Sequence, residues 1–119
     1  MTIVIYHNPR CSKSREVLAL IRETGAEPEI VEYLKTGWTL PQLQGLFATA
    51  GVMARDALRE KEAAAVEKGL KEADEAAILA AMVQHPELVN RPFVTTLKGA
   101  RLCRPSDLVL QLLDHPPAP

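Results

Sequence analysis

The sequence predicts an α/β fold, in which a mixed sheet of four strands packs against helices as a sandwich and a helical region is inserted in mid-chain. Three observations predict this fold. The first third of the chain has the pattern of a strand, a helix and a second strand. The middle is rich in helix-forming residues, and the last third has the pattern of a hairpin followed by a helix. Because 119 residues is the size of one domain, we expect a single domain over residues 1–113.

The strand–helix–strand pattern covers the start of the chain. Residues 2–6 form a β-branched apolar run that is typical of a buried strand, and a polar break follows. The pattern then predicts a helix over Ser12–Glu23, with an end at Gly25, and a second strand over residues 29–34. Strands joined by such a helix are expected to lie parallel, through a right-handed crossover.

The inserted helical region begins with a capping pattern. Thr39 suits the N-cap of a helix, Gln42 completes a capping box, and Gly51 is expected to end the helix. Residues 53–68 are rich in Ala, Glu and Lys, and they predict one or two further helical segments that end near Gly69.

The rest of the chain predicts a helix, a hairpin and a final helix. Asp74 suits the N-cap of a helix that stops before Pro86. Residues 93–95 and 100–103 flank a short Gly-containing turn, which predicts a hairpin of two strands. The final helix is expected over residues 105–113.

Composition excludes several classes of function. The 14 Lys and Arg residues balance 15 Asp and Glu residues, and the net charge of -1 argues against a nucleic-acid coat protein. No stretch approaches the roughly 20 apolar residues that cross a bilayer, and the first residues lack a signal-peptide pattern, so we expect a cytoplasmic protein. Two cysteines are too few for a disulfide framework or a structural zinc site. The Pro-rich residues 114–119 are expected to form a disordered tail.

Cys11 is the candidate nucleophile, because it lies where the first strand gives way to a helix. The free N–H groups and the positive dipole end of a helix N-terminus stabilise a thiolate. The side chains of Arg10, Lys13 and Arg15 add positive charge nearby, and His7 is a further candidate. The alternative is that Cys11 is a small buried core residue, which the polar and cationic surroundings disfavour.

Neither Ser14 nor Cys103 is expected to form a disulfide with Cys11. Ser14 stands where a second cysteine would complete a Cys-x-x-Cys motif, so the site must be regenerated by an external thiol. Its hydroxyl can donate a hydrogen bond to the Cys11 thiolate, or it can serve as an ordinary first-turn serine that satisfies backbone groups. Cys103 could be a resolving thiol, but a buried strand cysteine is the favoured interpretation.

Four sequence segments, taken together, resemble a known family. They occur in order and at compatible spacing: HNPRCSKSR at 7–15, LREK at 58–61, HP at 85–86 followed by NRP at 90–92, and LCRPS at 102–106. In these segments the chain resembles the glutaredoxin-dependent arsenate reductases of the ArsC family. The resemblance implies a thioredoxin-like fold with an inserted helical region, and a cis peptide bond before Pro92.

The resemblance also implies the roles of individual residues. It makes Cys11 catalytic, and it assigns binding of the substrate oxyanion to Arg59, Arg91 and Arg104. Guanidinium forks hold a tetrahedral oxyanion through charge-assisted hydrogen bonds, and their charge would lower the pKa of a nearby thiol. The family's thiolate-stabilising positions fall on His7, Asn8 and Ser14.

Each arginine also has an ordinary interpretation. Arg59 would normally be a solvated helix residue that pairs with Glu60 or Glu62. Arg91 could be a polar loop residue, and Arg104 could simply precede a helix. Their joint match with the cysteine segment favours the role in binding.

The implied activity is the reduction of arsenate to arsenite, with glutathione as co-substrate and glutaredoxin as protein partner. No bound cofactor or metal is implied, and we expect a monomer that binds neither nucleic acid nor membranes. A general glutathione-linked thiol oxidoreductase of the same fold is the main alternative. A Spx-type regulator that binds RNA polymerase is less favoured, because such proteins use a Cys-x-x-Cys switch that Ser14 removes.

Overall fold

Within residues 2–114, which a computed structural model describes, the chain forms a four-stranded sheet in the order β2-β1-β3-β4. The strands are β1 (Val4–Tyr6), β2 (Glu29–Val31), β3 (Phe93–Thr96) and β4 (Gly99–Leu102). β1 is parallel to β2 and antiparallel to β3, and β3 and β4 form an antiparallel hairpin. The predicted mixed sheet is therefore confirmed, with β1 paired on both sides.

The described residues group into two compact units. One unit contains the sheet and is built from the chain up to Tyr33 and from Arg91 onward, and the other covers Leu34–Asn90. The single domain over residues 1–113 stays a prediction. Of the predicted tail, residues 115–119 lie outside the described residues, and Asp114 lies 3.5 Å from the ammonium group of Lys98.

The first unit is held by one apolar cluster beneath the sheet. The predicted helix α1 (Ser12–Glu23) is confirmed, and the last segment, Ser106–Leu112, packs against it. That segment was expected as an α-helix but is a 3₁₀ helix, in which Leu108 N–H donates to the Pro105 carbonyl at 3.1 Å. Buried members of the cluster are Ile3, Ile5, Val17, Ile21, Val94, Cys103, Val109, Leu112 and Leu113.

The second strand is shorter than the sequence predicts. It was expected to reach residue 34, but it ends at Val31, and a short helix α2 (Tyr33–Thr36) follows. β2 pairs along the three residues of β1, and the last ladder bond runs from His7 N–H to the Val31 carbonyl at 2.8 Å. Beyond that bond, the residues after β1 turn away from β2 into the cysteine segment. β2 therefore has no neighbouring strand with which to form further ladder hydrogen bonds.

The second unit is helical, as predicted. It contains α3 (Leu40–Ala50), α4 (Ala54–Ala57), α5 (Ala63–Glu67) and α6 (Glu75–Gln84). Short 3₁₀ turns lie at Leu70–Glu72 and Pro86–Leu88. No helix in the described part of the chain is long and apolar enough to cross a membrane.

Three capping predictions in this unit are confirmed. The Thr39 side chain accepts from the Gln42 N–H at 3.2 Å, and the Gln42 side chain accepts from the Thr39 N–H at 3.3 Å. Gly51 ends α3 in the left-handed region, at φ 71°. The Asp74 carboxylate accepts from the Ala77 N–H at 2.8 Å and so caps α6.

Candidate active site

Cys11 lies at the N-cap of α1, on the segment that connects this helix to the central strand β1. Its backbone is extended, at φ -93° and ψ 122°, and its carbonyl accepts the Arg15 N–H at 3.0 Å. Its own N–H donates to the Asn8 carbonyl at 3.0 Å, which closes the loop between strand and helix. The residue is 8% exposed. This N-cap position places the thiol beside the N–H groups of the first turn of α1, which have no hydrogen-bond partner within the helix.

The thiol of Cys11 is acidified by its surroundings. Burial is the largest single influence on its pKa, and burial raises it. The opposing influences are the backbone N–H of Ser14, the positive charge of Arg91, the backbone N–H of Lys13 and a hydrogen bond from the Arg91 side chain. Together they hold the pKa of Cys11 below its ordinary value, so the thiolate is more populated at neutral pH.

The positive charge that acts on Cys11 comes from a distant part of the sequence. The side-chain charges of Arg10, Lys13 and Arg15 were expected to act, but in the described part of the chain none of them is among the influences that set its pKa. The Lys13 ammonium lies 3.5 Å from the Glu16 carboxylate, and the Arg15 guanidinium donates to a loop carbonyl at 2.9 Å. Lys13 acts instead through its backbone N–H.

Ser14 organises the loop with its hydroxyl and acts on the thiol with its backbone. The hydroxyl oxygen lies 2.6 Å from Nδ1 of His7 and accepts the Asn8 N–H at 3.1 Å. All three residues are buried, and the Asn8 side chain in turn accepts the Arg10 N–H at 3.0 Å. Of the two roles that the sequence allows for this hydroxyl, the structure shows the one that satisfies backbone groups, and Ser14 acts on the pKa of Cys11 through its backbone N–H.

His7 does not supply the positive charge that the sequence suggested. Burial is the main influence on the pKa of His7 and lowers it, whereas Glu32 raises it. The charges of Arg22 and Arg15 lower it further, so the pKa lies below its ordinary value of 6.5. At neutral pH the ring is neutral, and its contribution is the short contact with Ser14.

Arg91 lies beside the Cys11 thiol, and Arg104 is bonded to Arg91. Arg91 is two residues before β3, and Arg104 follows β4, with its N–H bonded to the Leu102 carbonyl at 3.0 Å. The Arg104 guanidinium donates to the Arg91 carbonyl at 3.0 Å. The Arg91–Pro92 peptide bond is cis, as expected, and the Arg104–Pro105 bond is also cis, which the sequence did not suggest.

Cys103 is a core residue, as the favoured interpretation predicted. It lies directly after β4, its side chain is 0% exposed, and both it and Cys11 are free thiols. Burial raises the pKa of Cys103 to about 12, against a small opposing influence of Arg101. At neutral pH Cys103 is therefore a protonated, buried thiol with little nucleophilic character.

Arg59 belongs to the second unit and lies in an irregular segment, not in the helix that the sequence suggested. Leu58 pairs with Val89 across an isolated β-bridge, and the Arg59 N–H donates to the Leu88 carbonyl at 2.9 Å. The Arg59 guanidinium lies 2.8 Å from the Glu62 carboxylate, which confirms the pairing expected in its ordinary interpretation. It lines a cavity of about 530 Å³ within this unit, with Leu58, Glu60, Lys61, Glu62 and Asn90.

One contact at the edge of the site has no signal in the sequence. The Ser106 hydroxyl donates to the Glu16 carboxylate at 2.7 Å, and the two residues are 90 positions apart. Within the described residues, no group of three or more His, Cys, Asp and Glu side chains is arranged to hold a metal ion.

The sheet order, the hairpin and the cysteine at the end of the central strand define the class of fold. It is a thioredoxin-like fold with a helical insertion. The structure of the arsenate reductase from Vibrio cholerae is similar: it superimposes with a TM-score of 0.90 at 40% sequence identity, over 95% of this chain and 98% of the Vibrio cholerae chain. A model of the ArsC family matches residues 6–112, and the chain belongs to that family.

Similar proteins of known sequence cover nearly the whole chain. The arsenate reductase ArsI2 of Synechocystis is 57% identical over 118 residues, which are 98% of this chain and 84% of the relative. The arsenate reductase of Escherichia coli K12 is 45% identical over 113 residues, which are 93% of this chain and 80% of the relative.

Proposed function

We propose that this protein is a cytoplasmic arsenate reductase in which Cys11 is the single nucleophile, with glutathione and glutaredoxin as reductants. The observation that carries the proposal is the acidified thiol of Cys11, which a helix N-terminus and the Arg91 guanidinium both stabilise. The names of its relatives as arsenate reductases supply the substrate.

Arg91 and Arg104 would bind the substrate oxyanion. Arsenate is an anion with several acceptor oxygens at neutral pH, and adjacent guanidinium groups can hold it by charge-assisted hydrogen bonds. The hydrogen bond from Arg104 to the Arg91 carbonyl supports this assignment, because it holds the Arg104 guanidinium at the backbone of Arg91. We also assign Arg59 to oxyanion binding, on the basis of the sequence segment that it shares with the family.

The chemistry would proceed by nucleophilic attack of sulfur on arsenic. The Cys11 thiolate forms an S–As bond, and one As–O bond breaks as the oxygen leaves as water after it takes up protons. A glutathione thiolate then attacks Cys11 Sγ, so that an S–S bond forms and the S–As bond breaks. Its electron pair stays on arsenic, which passes from As(V) to As(III) and leaves as arsenite.

The remaining disulfide between Cys11 and glutathione would be resolved by glutaredoxin. The glutaredoxin thiolate attacks the glutathionyl sulfur, which frees Cys11, and a second glutathione restores glutaredoxin. The balance is one arsenate and two glutathione molecules to arsenite, glutathione disulfide and water. An external reductant is supported because residue 14 is a serine and Cys103 is buried with a pKa of about 12. The cytoplasm fits this reaction, because glutathione keeps thiols reduced there.

A coupled assay tests the proposal. Arsenate, glutathione, glutaredoxin, glutathione reductase and NADPH are mixed with the protein, and NADPH oxidation and arsenite are both measured. We expect arsenate-dependent turnover that Cys11→Ser abolishes and that the matched variant Cys103→Ala retains. Turnover of a glutathionylated peptide without any arsenite production would instead identify a general thiol oxidoreductase.

A further inference from the structure

The contact between Glu16 and Ser106 lies between the two segments that carry the nucleophile and one of the arginines. Glu16 is in α1, five residues after Cys11, and Ser106 is the first residue of the last 3₁₀ helix, two residues after Arg104. The hydroxyl-to-carboxylate distance of 2.7 Å is that of a charge-assisted hydrogen bond.

The buried part of the interface between α1 and this 3₁₀ helix is apolar. Val17 and Ile21 on α1 belong to the same buried cluster as Val109 and Leu112. These contacts fix the buried part of the interface. The hydrogen bond of Ser106 closes the end of the interface that faces the cysteine segment.

Arg104 is positioned by its backbone as well as by the hydrogen bond from its guanidinium to the Arg91 carbonyl. Its side chain is exposed, and a long exposed guanidinium loses conformational freedom when it is fixed on a ligand. The Arg104 backbone is held on one side by the Leu102 carbonyl at 3.0 Å, and the hydrogen bond of Ser106 holds the chain on the other side.

We propose that Glu16 is a positioning residue, which through Ser106 holds Arg104 in the place where it binds the oxyanion. This inference rests on the assignment of Arg104 to oxyanion binding in the proposed function. An ionised carboxylate makes the stronger hydrogen bond to Ser106. The hydrogen bond from Ser106 is the largest influence on the pKa of Glu16 and lowers it, and Lys13 lowers it further. Glu16 is therefore ionised at neutral pH.

The effect on Arg104 can be separated from an effect on the thiol. Glu16 and Ser106 are not among the influences that set the pKa of Cys11 in the described part of the chain. Loss of their contact should therefore weaken oxyanion binding and leave the thiol pKa unchanged. A general loosening of the fold would instead lower the amount of active protein, with kcat reduced and KM unchanged.

The experiment measures binding of inorganic phosphate, which is not reduced, by its protection of Cys11 against alkylation with iodoacetamide. We expect Ser106→Ala and Glu16→Ala each to raise the phosphate Kd by about three- to tenfold, and the double variant to go no further than either single one. Glu16→Gln should retain most of the affinity, because its amide oxygen still accepts from Ser106. Glu23→Ala, which removes another exposed carboxylate of α1, is the matched control and should stay within about twofold of the parent.

Ser106→Ala is the decisive variant, because it leaves the Glu16–Lys13 ion pair intact. The arsenate KM should rise with the phosphate Kd while kcat and the Cys11 pKa stay unchanged. An unchanged Kd in both single variants, or additive effects in the double variant, would overturn the inference. If the parent fails to reduce arsenate but the phosphate Kd follows the expected order, the proposed function fails and the positioning role stands.

Discussion

The guanidinium of Arg104 donates a hydrogen bond to the backbone carbonyl of Arg91 at 3.0 Å. The Arg104 guanidinium is thus held at the backbone of Arg91, whose own guanidinium acts on Cys11. Of these two arginines, only Arg91 is among the influences on the pKa of Cys11 in the described part of the chain. Under the proposed function, Arg91 would therefore serve both the thiolate and the oxyanion, whereas Arg104 would serve the oxyanion alone.

The first prediction separates these roles. Arg91→Ala should raise the pKa of Cys11 and weaken arsenate binding together, because the same charge stabilises the thiolate and the substrate. Arg104→Ala should weaken arsenate binding and leave the thiol pKa unchanged. Each substitution should lower kcat/KM about ten- to a hundredfold, as expected for a lost charge-assisted hydrogen bond. Thiolate absorbance gives the pKa, and the coupled assay gives kcat/KM.

The lysine variants are the controls for this prediction. Arg91→Lys keeps a positive charge and should restore most of the thiol pKa, but only part of the arsenate affinity, because an ammonium cannot form the bidentate contact. An equal rise of the Cys11 pKa in Arg104→Ala and Arg91→Ala would contradict the division of roles.

Ser14 should matter more for the stability of the loop than for the acidity of the thiol. Ser14→Ala leaves the Asn8 N–H and the His7 ring nitrogen without their buried partner, and this should cost about 1–3 kcal/mol in the free energy of unfolding. The pKa of Cys11 should not rise as it would on loss of an O–H···S bond, because Ser14 acts on it through its backbone.

Urea unfolding and thiolate titration test this prediction on the same samples. Ser12→Ala is the matched control, since Ser12 is an exposed serine of the same turn and its loss should change stability by less than about 0.5 kcal/mol. Equal free energies of unfolding for the two variants would show that the buried hydrogen bonds of Ser14 do not contribute to stability.

Cys103 should make the protein less stable in alkali. Its pKa is about 12 in the folded chain and about 8.5 in an unfolded one, so above pH 8.5 the unfolded state loses a proton that the folded state keeps. The free energy of unfolding is therefore unaffected by this thiol below pH 8.5. As the pH rises from 8.5 toward 12, the free energy of unfolding falls by about 1.4 kcal/mol per pH unit.

The comparison is between the parent and Cys103→Ala in urea unfolding from pH 7 to 10. The variant should be less stable by about 1 kcal/mol at pH 7 because it leaves a small gap in the core, and its deficit should shrink or reverse as the pH rises. Parallel stability curves over this range would refute the raised pKa.

Arg59 should contribute to oxyanion binding without contributing to the acidity of the thiol. Arg59→Ala should raise the arsenate KM and leave the Cys11 pKa unchanged, since Arg59 is not among the influences that set it in the described part of the chain. Its partly exposed ion pair with Glu62 should contribute less than about 1 kcal/mol to stability.

Glu62→Ala is the matched control, because it breaks the same ion pair and keeps the guanidinium. It should leave the arsenate KM unchanged or lower it, since the carboxylate no longer competes for Arg59. If the two variants raise KM equally, the ion pair matters, and the assignment of Arg59 to the substrate is wrong.

Features that depend on neighbouring residues could be predicted from the sequence. The capping box of Thr39 and Gln42 and the left-handed Gly51 each need only a few consecutive residues, and each is found where it was expected. The position of Cys11 at a helix N-terminus could also be predicted locally, because it depends only on where the strand ends and the helix begins.

Features that depend on distant residues could not be predicted in the same way. The second strand ends at Val31 because its partner strand ends, and the hydroxyl of Ser14 faces His7 because the loop folds inward. Lys13 and Arg15, close to Cys11 in the sequence, are engaged elsewhere, whereas Arg91 reaches it from the segment just before β3. Only the resemblance to a family, and no pattern of spacing, pointed to Arg91.

The central position of β1 has a consequence for the timing of motion in the active site. Ile5 is aligned with Ile30 on one side and with Val94 on the other, so the peptide hydrogens of this strand meet solvent only when the sheet itself comes apart. Hydrogen–deuterium exchange should therefore be slowest there. Cys11 follows five residues after Tyr6, the end of this strand, so we expect its sulfur to keep its position during local opening elsewhere in the molecule.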